Sequence, residues 1–83
     1  MKKFLIVEDD VLISEYLKQL VTETGHTETN ICSNADSAKW SIENNPMEFA
    51  FLDIRLLGED RGITIGRMLK EKDIPFYYIT SFT

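Results

Sequence analysis

A chain of 83 residues has room for one domain, 1–83, near the lower end of what folds alone, so each helix and strand must serve a single core. Its 43% hydrophobic and 28% charged residues exclude a disordered or fibrous class. Fourteen acids against nine bases, a net charge of −5, argue against nonspecific binding to nucleic acid or an anionic membrane, since both need a positive surface.

Cys32 is the one cysteine, so no intrachain disulfide is possible and a cytoplasmic location is the expectation. No stretch approaches a membrane span, and the apolar run Phe4–Val7 is cut off by Glu8-Asp9-Asp10 too soon for a signal-peptide core.

Lys2–Val7 reads as a first strand that ends abruptly at those three acids. Val11–Thr24 repeats apolar residues at helical spacing, Leu12, Tyr16 and Leu20 beside Ile13, Leu17 and Val21, and Gly25 suits a helix end. Asp10 and Glu15 suit the positive end of that helix. His26–Cys32 alternates and predicts a half-exposed edge strand, and a histidine standing alone there is no metal ligand set. Ser33 with Asp36 resembles a capping box, followed by a helix with Ala35, Ala38 and Ile42 inside, Trp40 off that stripe, and an end at Asn44-Asn45-Pro46.

Phe49–Asp53 reads as the central strand, buried on both faces and closed by a carboxylate. Ile54–Gly62, with glycines at 58 and 62, predicts a loop, and Ile63–Lys72 a third helix with Ile65, Met68 and Leu69 inward. Ile74–Ile79 is an aromatic strand with Pro75 at its start. The order βαβαβαβ calls for a parallel, doubly wound α/β sheet with right-handed crossovers.

In that layout the first, third and fourth strands end on one edge, bringing Glu8 and Asp9 to Asp53, with Thr80 and Ser81 close by. Crowded carboxylates raise one another's pKa unless a cation intervenes, and hard oxygen donors are what Mg²⁺ prefers. An aspartate there can accept a phosphoryl group while a neighbouring hydroxyl holds a phosphate oxygen. The same acids are also ordinary helix-start charges and turn formers, and on that reading Asp10 is a cap.

Leu5-Ile6-Val7-Glu8-Asp9-Asp10, then Phe51-Leu52-Asp53-Ile54-Arg55-Leu56 with Gly62 following, then Tyr78-Ile79-Thr80-Ser81, resemble the receiver domain of two-component response regulators. The resemblance implies a flavodoxin-like sheet of order 2-1-3-4 and a phosphoryl group taken on Asp53 from a sensor histidine kinase or phosphotransfer protein. It implies Glu8, Asp9, Asp53 and the Arg55 backbone carbonyl as Mg²⁺ ligands, Thr80 as the hydroxyl that meets the phosphate, and the Ser81 amide as a further contact.

Leu57 stands where many receivers have proline, and the family continues past its fourth strand to a helix, a lysine-bearing fifth strand and a fifth helix. The expectation is a receiver truncated after strand four. Lys2, Lys3, Lys70 and Lys72 would all lie at the opposite sheet edge, so none replaces that lysine. Ile74–Ile79 would be an exposed apolar edge, which predicts self-association. A second reading is a phosphorylation-independent interaction or dimerisation module. An aspartyl-phosphate hydrolase is disfavoured because Arg55 occupies the place of its second aspartate.

Overall fold

The computed structural model describes residues 3–23, 25 and 28–79, with residues 56–60 described by their helical backbone alone. The elements run β1 (Lys3–Val7), α1 (Val11–Glu23), β2 (Glu28–Cys32), α2 (Ala35–Asn44), β3 (Phe49–Asp53), α3 (Ile54–Glu71) and β4 (Phe76–Ile79). The strands form one parallel sheet of order β2-β1-β3-β4, the arrangement the sequence predicts. Because the chain moves one way along the sheet through α1 and the other way through α2 and α3, right-handed crossovers put α1 on one face and α2 and α3 on the other.

The main core lies under α2 and α3. Leu5, Val7, Ala50 and Leu52 project from β1 and β3 onto Ala35, Ala38 and Ile42 of α2 and Ile65 and Leu69 of α3. Fully burying each larger aliphatic of this set contributes about 1.5–3 kcal/mol. The intervening residues make the second face, where the rings of Phe4 and Phe49 stack at 5.1 Å and the row continues from Phe49 to Tyr77 at 5.0 Å. Under α1 this face buries Val21 and Ser14, while Leu12, Tyr16 and Leu20 are exposed. Of the two apolar rows read in α1, the one ending at Val21 is therefore the inner row.

Two expectations are corrected. The first concerns the predicted loop Ile54–Gly62, which is helical, so that α3 begins directly after Asp53. Asp53 caps the helix, its Oδ1 accepting from the Arg55 amide at 2.9 Å. The cap offsets part of the cost of three interior glycines, Gly58, Gly62 and Gly66, at about 1 kcal/mol each against alanine. The second concerns the start of α2, where the cap is Asn34 rather than Ser33: its Oδ1 accepts from the Ser37 amide at 2.8 Å. Asn44 and Asn45 end that helix as read.

Gly25 takes φ 91° after α1, a left-handed conformation that favours glycine. Gly66 has a different purpose. A Cβ there would meet Tyr78 Oη at 2.9 Å and Phe76 Cζ at 3.1 Å, so a larger residue would have to push these two ring ends aside for α3 to lie this close to β4.

Candidate functional site

The sheet register assembles the site. Val7 pairs with Leu52, which brings the next residues, Glu8 and Asp53, side by side at the carboxyl edge. The Glu8 amide donates to the Cys32 carbonyl at 2.9 Å, continuing the β1–β2 ladder past the strand and fixing the Glu8 backbone. On the other side of β3, Asp53 pairs with Ile79, so the chain leaves β4 next to the carboxylate. Thr80 and Ser81, the predicted phosphate contacts, lie outside the described residues.

The three consecutive acids part company here. Asp10 turns to α1 and caps it, its Oδ1 accepting from the amides of Leu12 at 2.9 Å and Ile13 at 3.2 Å. Glu8 and Asp9 turn to Asp53, and one carboxylate oxygen from each of the three lies within 4.8 Å of the others. Glu8 and Asp53 are each only 2% exposed, whereas Asp9 faces solvent.

Glu8 carries the electrostatic tension. Its Oε1 accepts from the Asp10 amide at 3.1 Å, but its Oε2 is buried with no hydrogen-bond partner. Burial, and next the Asp53 carboxylate beside it, push its pKa from 4.5 up to about 7, against the lowering effect of the Asp10 amide. A buried carboxylate with one oxygen lacking a donor, clustered with two further carboxylates, is a ready ligand for a small hard cation. The donor set is all oxygen, and with Asp9 exposed to water it fits Mg²⁺, which keeps several waters when it binds.

Among the described residues, the lysines whose contacts are defined lie where the sequence puts them, away from this edge. Lys3 Nζ pairs with Glu28 at 3.2 Å and Lys72 Nζ donates to the Ile42 carbonyl at 2.9 Å. Arg55 sits in the first turn of α3 with an exposed side chain. Two features escaped the sequence reading: the capping role of Asp53, and Tyr78, whose hydroxyl donates to the Gly62 carbonyl at 3.1 Å and ties α3 to β4. Neither was signalled locally, since Gly58 and Gly62 read as turn residues and the Tyr78 contact comes from sixteen residues away.

Comparison with known proteins agrees with this geometry. The response regulator receiver domain family matches residues 4–83. The heme response regulator HssR of Staphylococcus saprophyticus is 35% identical over 78 residues, covering 93% of this chain and 34% of its own length. The chain thus spans about a third of the curated relatives it matches. Among solved structures, the CheY-like receiver domain protein of Methanospirillum hungatei superposes with a TM-score of 0.82 at 26% identity, over 100% of this chain and 66% of that one. The BeF3-activated conformation of SdrG from Pseudomonas melonis superposes with a TM-score of 0.78 at 27% identity, over 98% of this chain and 69% of that one. Receiver domains are signalling modules rather than enzymes. With its doubly wound sheet, its buried aspartate and its acid pair, this chain belongs to the response regulator receiver domain family.

Proposed function

We propose that this chain accepts a phosphoryl group on Asp53 from a sensor histidine kinase or a phosphotransfer protein, in the cytoplasm, with Mg²⁺ held by Glu8, Asp9 and Asp53. The observation that carries the reading is the clustering of the Glu8, Asp9 and Asp53 carboxylates within 4.8 Å, with Oε2 of Glu8 buried and without a hydrogen-bond partner. A divalent ion bound there would neutralise the charge of the incoming phosphoryl oxygens.

The work of the chain's own residues follows from their placement. An Asp53 carboxylate oxygen attacks phosphorus, the bond from phosphorus to the donor imidazole breaks, and the acyl phosphate remains on Asp53 while the histidine leaves with a proton from solvent. Glu8, whose pKa burial lifts to about 7, must be ionised for the cation to enter, while Asp9 keeps the cluster open to water. Thr80 and Ser81, next in sequence after the Ile79 that pairs with Asp53, would offer a hydroxyl and an amide to the phosphoryl oxygens. The test is incubation with Mg²⁺ and acetyl phosphate: one phosphoryl group should appear on the intact protein and be absent from Asp53→Asn. A folded wild-type protein that gains none refutes the proposal.

A second reading, self-association through β4, is favoured by one observation. Among the described residues β4 pairs on one side only, with β3, and its Tyr77 and Tyr78 are 62% and 44% exposed. A strand of this kind offers free backbone groups and an aromatic row to a second copy. Light scattering across a concentration series should show a growing dimer; a monomer at high concentration rules it out.

A further inference from the structure

The sheet has a second open edge, and it belongs to β2. Among the described residues β2 pairs with β1 alone. The Cys32 carbonyl accepts from the Glu8 amide, so the backbone groups of Cys32, and of Asn30 two residues before it, face β1. Successive residues of a strand turn their N–H and C=O to opposite sides, so those of Thr29 and Ile31 point to the open edge. Between Thr29 and Cys32 no proline, lysine or bulge blunts that edge.

Beside the edge runs a groove between β2 and α2, with Asn30, Ile31 and Cys32 on the strand and Asp36, Trp40 and Ser41 on the helix. Its floor is made of small buried residues, since Cys32 packs in the core and Ser41 is 3% exposed. Trp40 lies off the inner stripe of α2 and is 62% exposed on the wall of the groove. Asp36 is exposed one helical turn before it, about 6 Å along the axis. Side chains on one face of an extended strand recur every 6.6 Å, approximately. A strand laid along β2 therefore brings one side chain to Trp40 and the next on the same face to Asp36.

We propose that this groove takes an extended segment of a partner protein as an added strand on β2, with an apolar side chain against Trp40 and a lysine or arginine two residues away at Asp36. The outward backbone groups of Thr29 and Ile31 supply affinity, and the groove supplies the sequence preference. The charge agrees, because a chain of net charge −5 draws basic segments. A second copy of this chain fits less well. Its two edge strands, Glu28-Thr29-Asn30-Ile31-Cys32 and Phe76-Tyr77-Tyr78-Ile79, hold no basic residue to meet Asp36.

Trp40 is the one tryptophan of the chain, so its fluorescence reports the groove directly. The probe is a blocked peptide, Thr-Lys-Thr-Leu-Thr-Lys-Thr, which presents leucine flanked by lysines on one face in either strand direction. Titrated into the whole chain, it shifts Trp40 emission to the blue and protects the Thr29 and Ile31 amides from hydrogen exchange. Trp40→Ala, a change at an exposed side chain, weakens binding about ten-fold by calorimetry. Asp36→Asn weakens it about two- to five-fold and lowers its salt dependence. The isomer Thr-Thr-Lys-Leu-Lys-Thr-Thr, whose lysines fall on the face opposite the leucine, binds several-fold more weakly. A blue shift without protection of Thr29 and Ile31 overturns the added strand. Equal affinity for the two peptides, or a folded Trp40→Ala that binds as tightly as wild type, overturns the groove as the reader of sequence. A Trp40 shift with protein concentration alone gives the site to a second copy and overturns the proposal, as does a failure to bind at millimolar peptide.

Discussion

Replacing Glu8 with glutamine tests the electrostatics of the pocket at one atom. Glu8 titrates at 4.5 in an unfolded chain and at about 7 in the folded one, with burial as the first cause and Asp53 contributing. A carboxyl whose folded-state pKa is raised binds more protons in the native state across that window. Native stability is therefore intact below pH 4.5, falls as the pH rises to about 7, and is flat above it. At about 1.4 kcal/mol per pH unit, the loss across the window comes to about 3 kcal/mol. That is a large share of the stability of a domain this small, which lies toward the lower end of the usual 5–15 kcal/mol, approximately. Glutamine resembles the protonated acid, so Glu8→Gln should be more stable than wild type by about 3 kcal/mol at pH 8 and by only about 1 kcal/mol at pH 5. Urea denaturation at the two pH values measures both. A wild-type stability that does not fall between pH 5 and 7.5, or a Glu8→Gln protein no more stable at pH 8, refutes the reasoning. The same proton competes with the cation, so Mg²⁺ affinity should climb with pH toward 7 and level off beyond it, as calorimetry in a pH series would register.

Other predictions concern the frame that holds the site. Gly66→Ala places a methyl group 2.9 Å from Tyr78 Oη and should destabilise by about 1–3 kcal/mol despite the better helix propensity of alanine, as thermal unfolding would record. Tyr78→Phe forfeits the bond to the Gly62 carbonyl at a cost of about 1 kcal/mol, and because it also removes the clashing oxygen, the double variant should lose less than the two single losses together. Asn34→Ala removes the α2 cap and should cost about 1 kcal/mol in denaturant unfolding without changing Mg²⁺ binding.

The strands and their order were legible because β1, β3 and β4 are short apolar runs, the first two closed by acids, because β2 alternates, and because the βα alternation leaves few topologies. Leu5, Val7, Ala50 and Leu52 face one way as the period of two demands. The start of α3 was not legible, because Gly58 and Gly62 read locally as turn residues. Their cost is met by an Asp53 cap and by a Tyr78 contact from sixteen residues away, which no local pattern displays. In α1 the apolar residues cover two adjoining rows, so periodicity alone could not choose the buried one, and the packing on β1 and β2 selects Val21.

At the site, the sequence brought Glu8, Asp9 and Asp53 together correctly. It could not say which of three adjacent acids would leave for a helix cap; backbone geometry sends Asp10 there and keeps Glu8 buried.

The chemistry of Asp53 can be read directly. After incubation with Mg²⁺ and acetyl phosphate, borohydride reduction converts an aspartyl phosphate to homoserine, and mass spectrometry of the peptides reports the position. Homoserine at residue 53, dependent on Mg²⁺ and lost in Glu8→Gln as the acid cluster is weakened, is the predicted result. Modification at another carboxylate, or none at Asp53 in a folded protein that binds Mg²⁺, would contradict it.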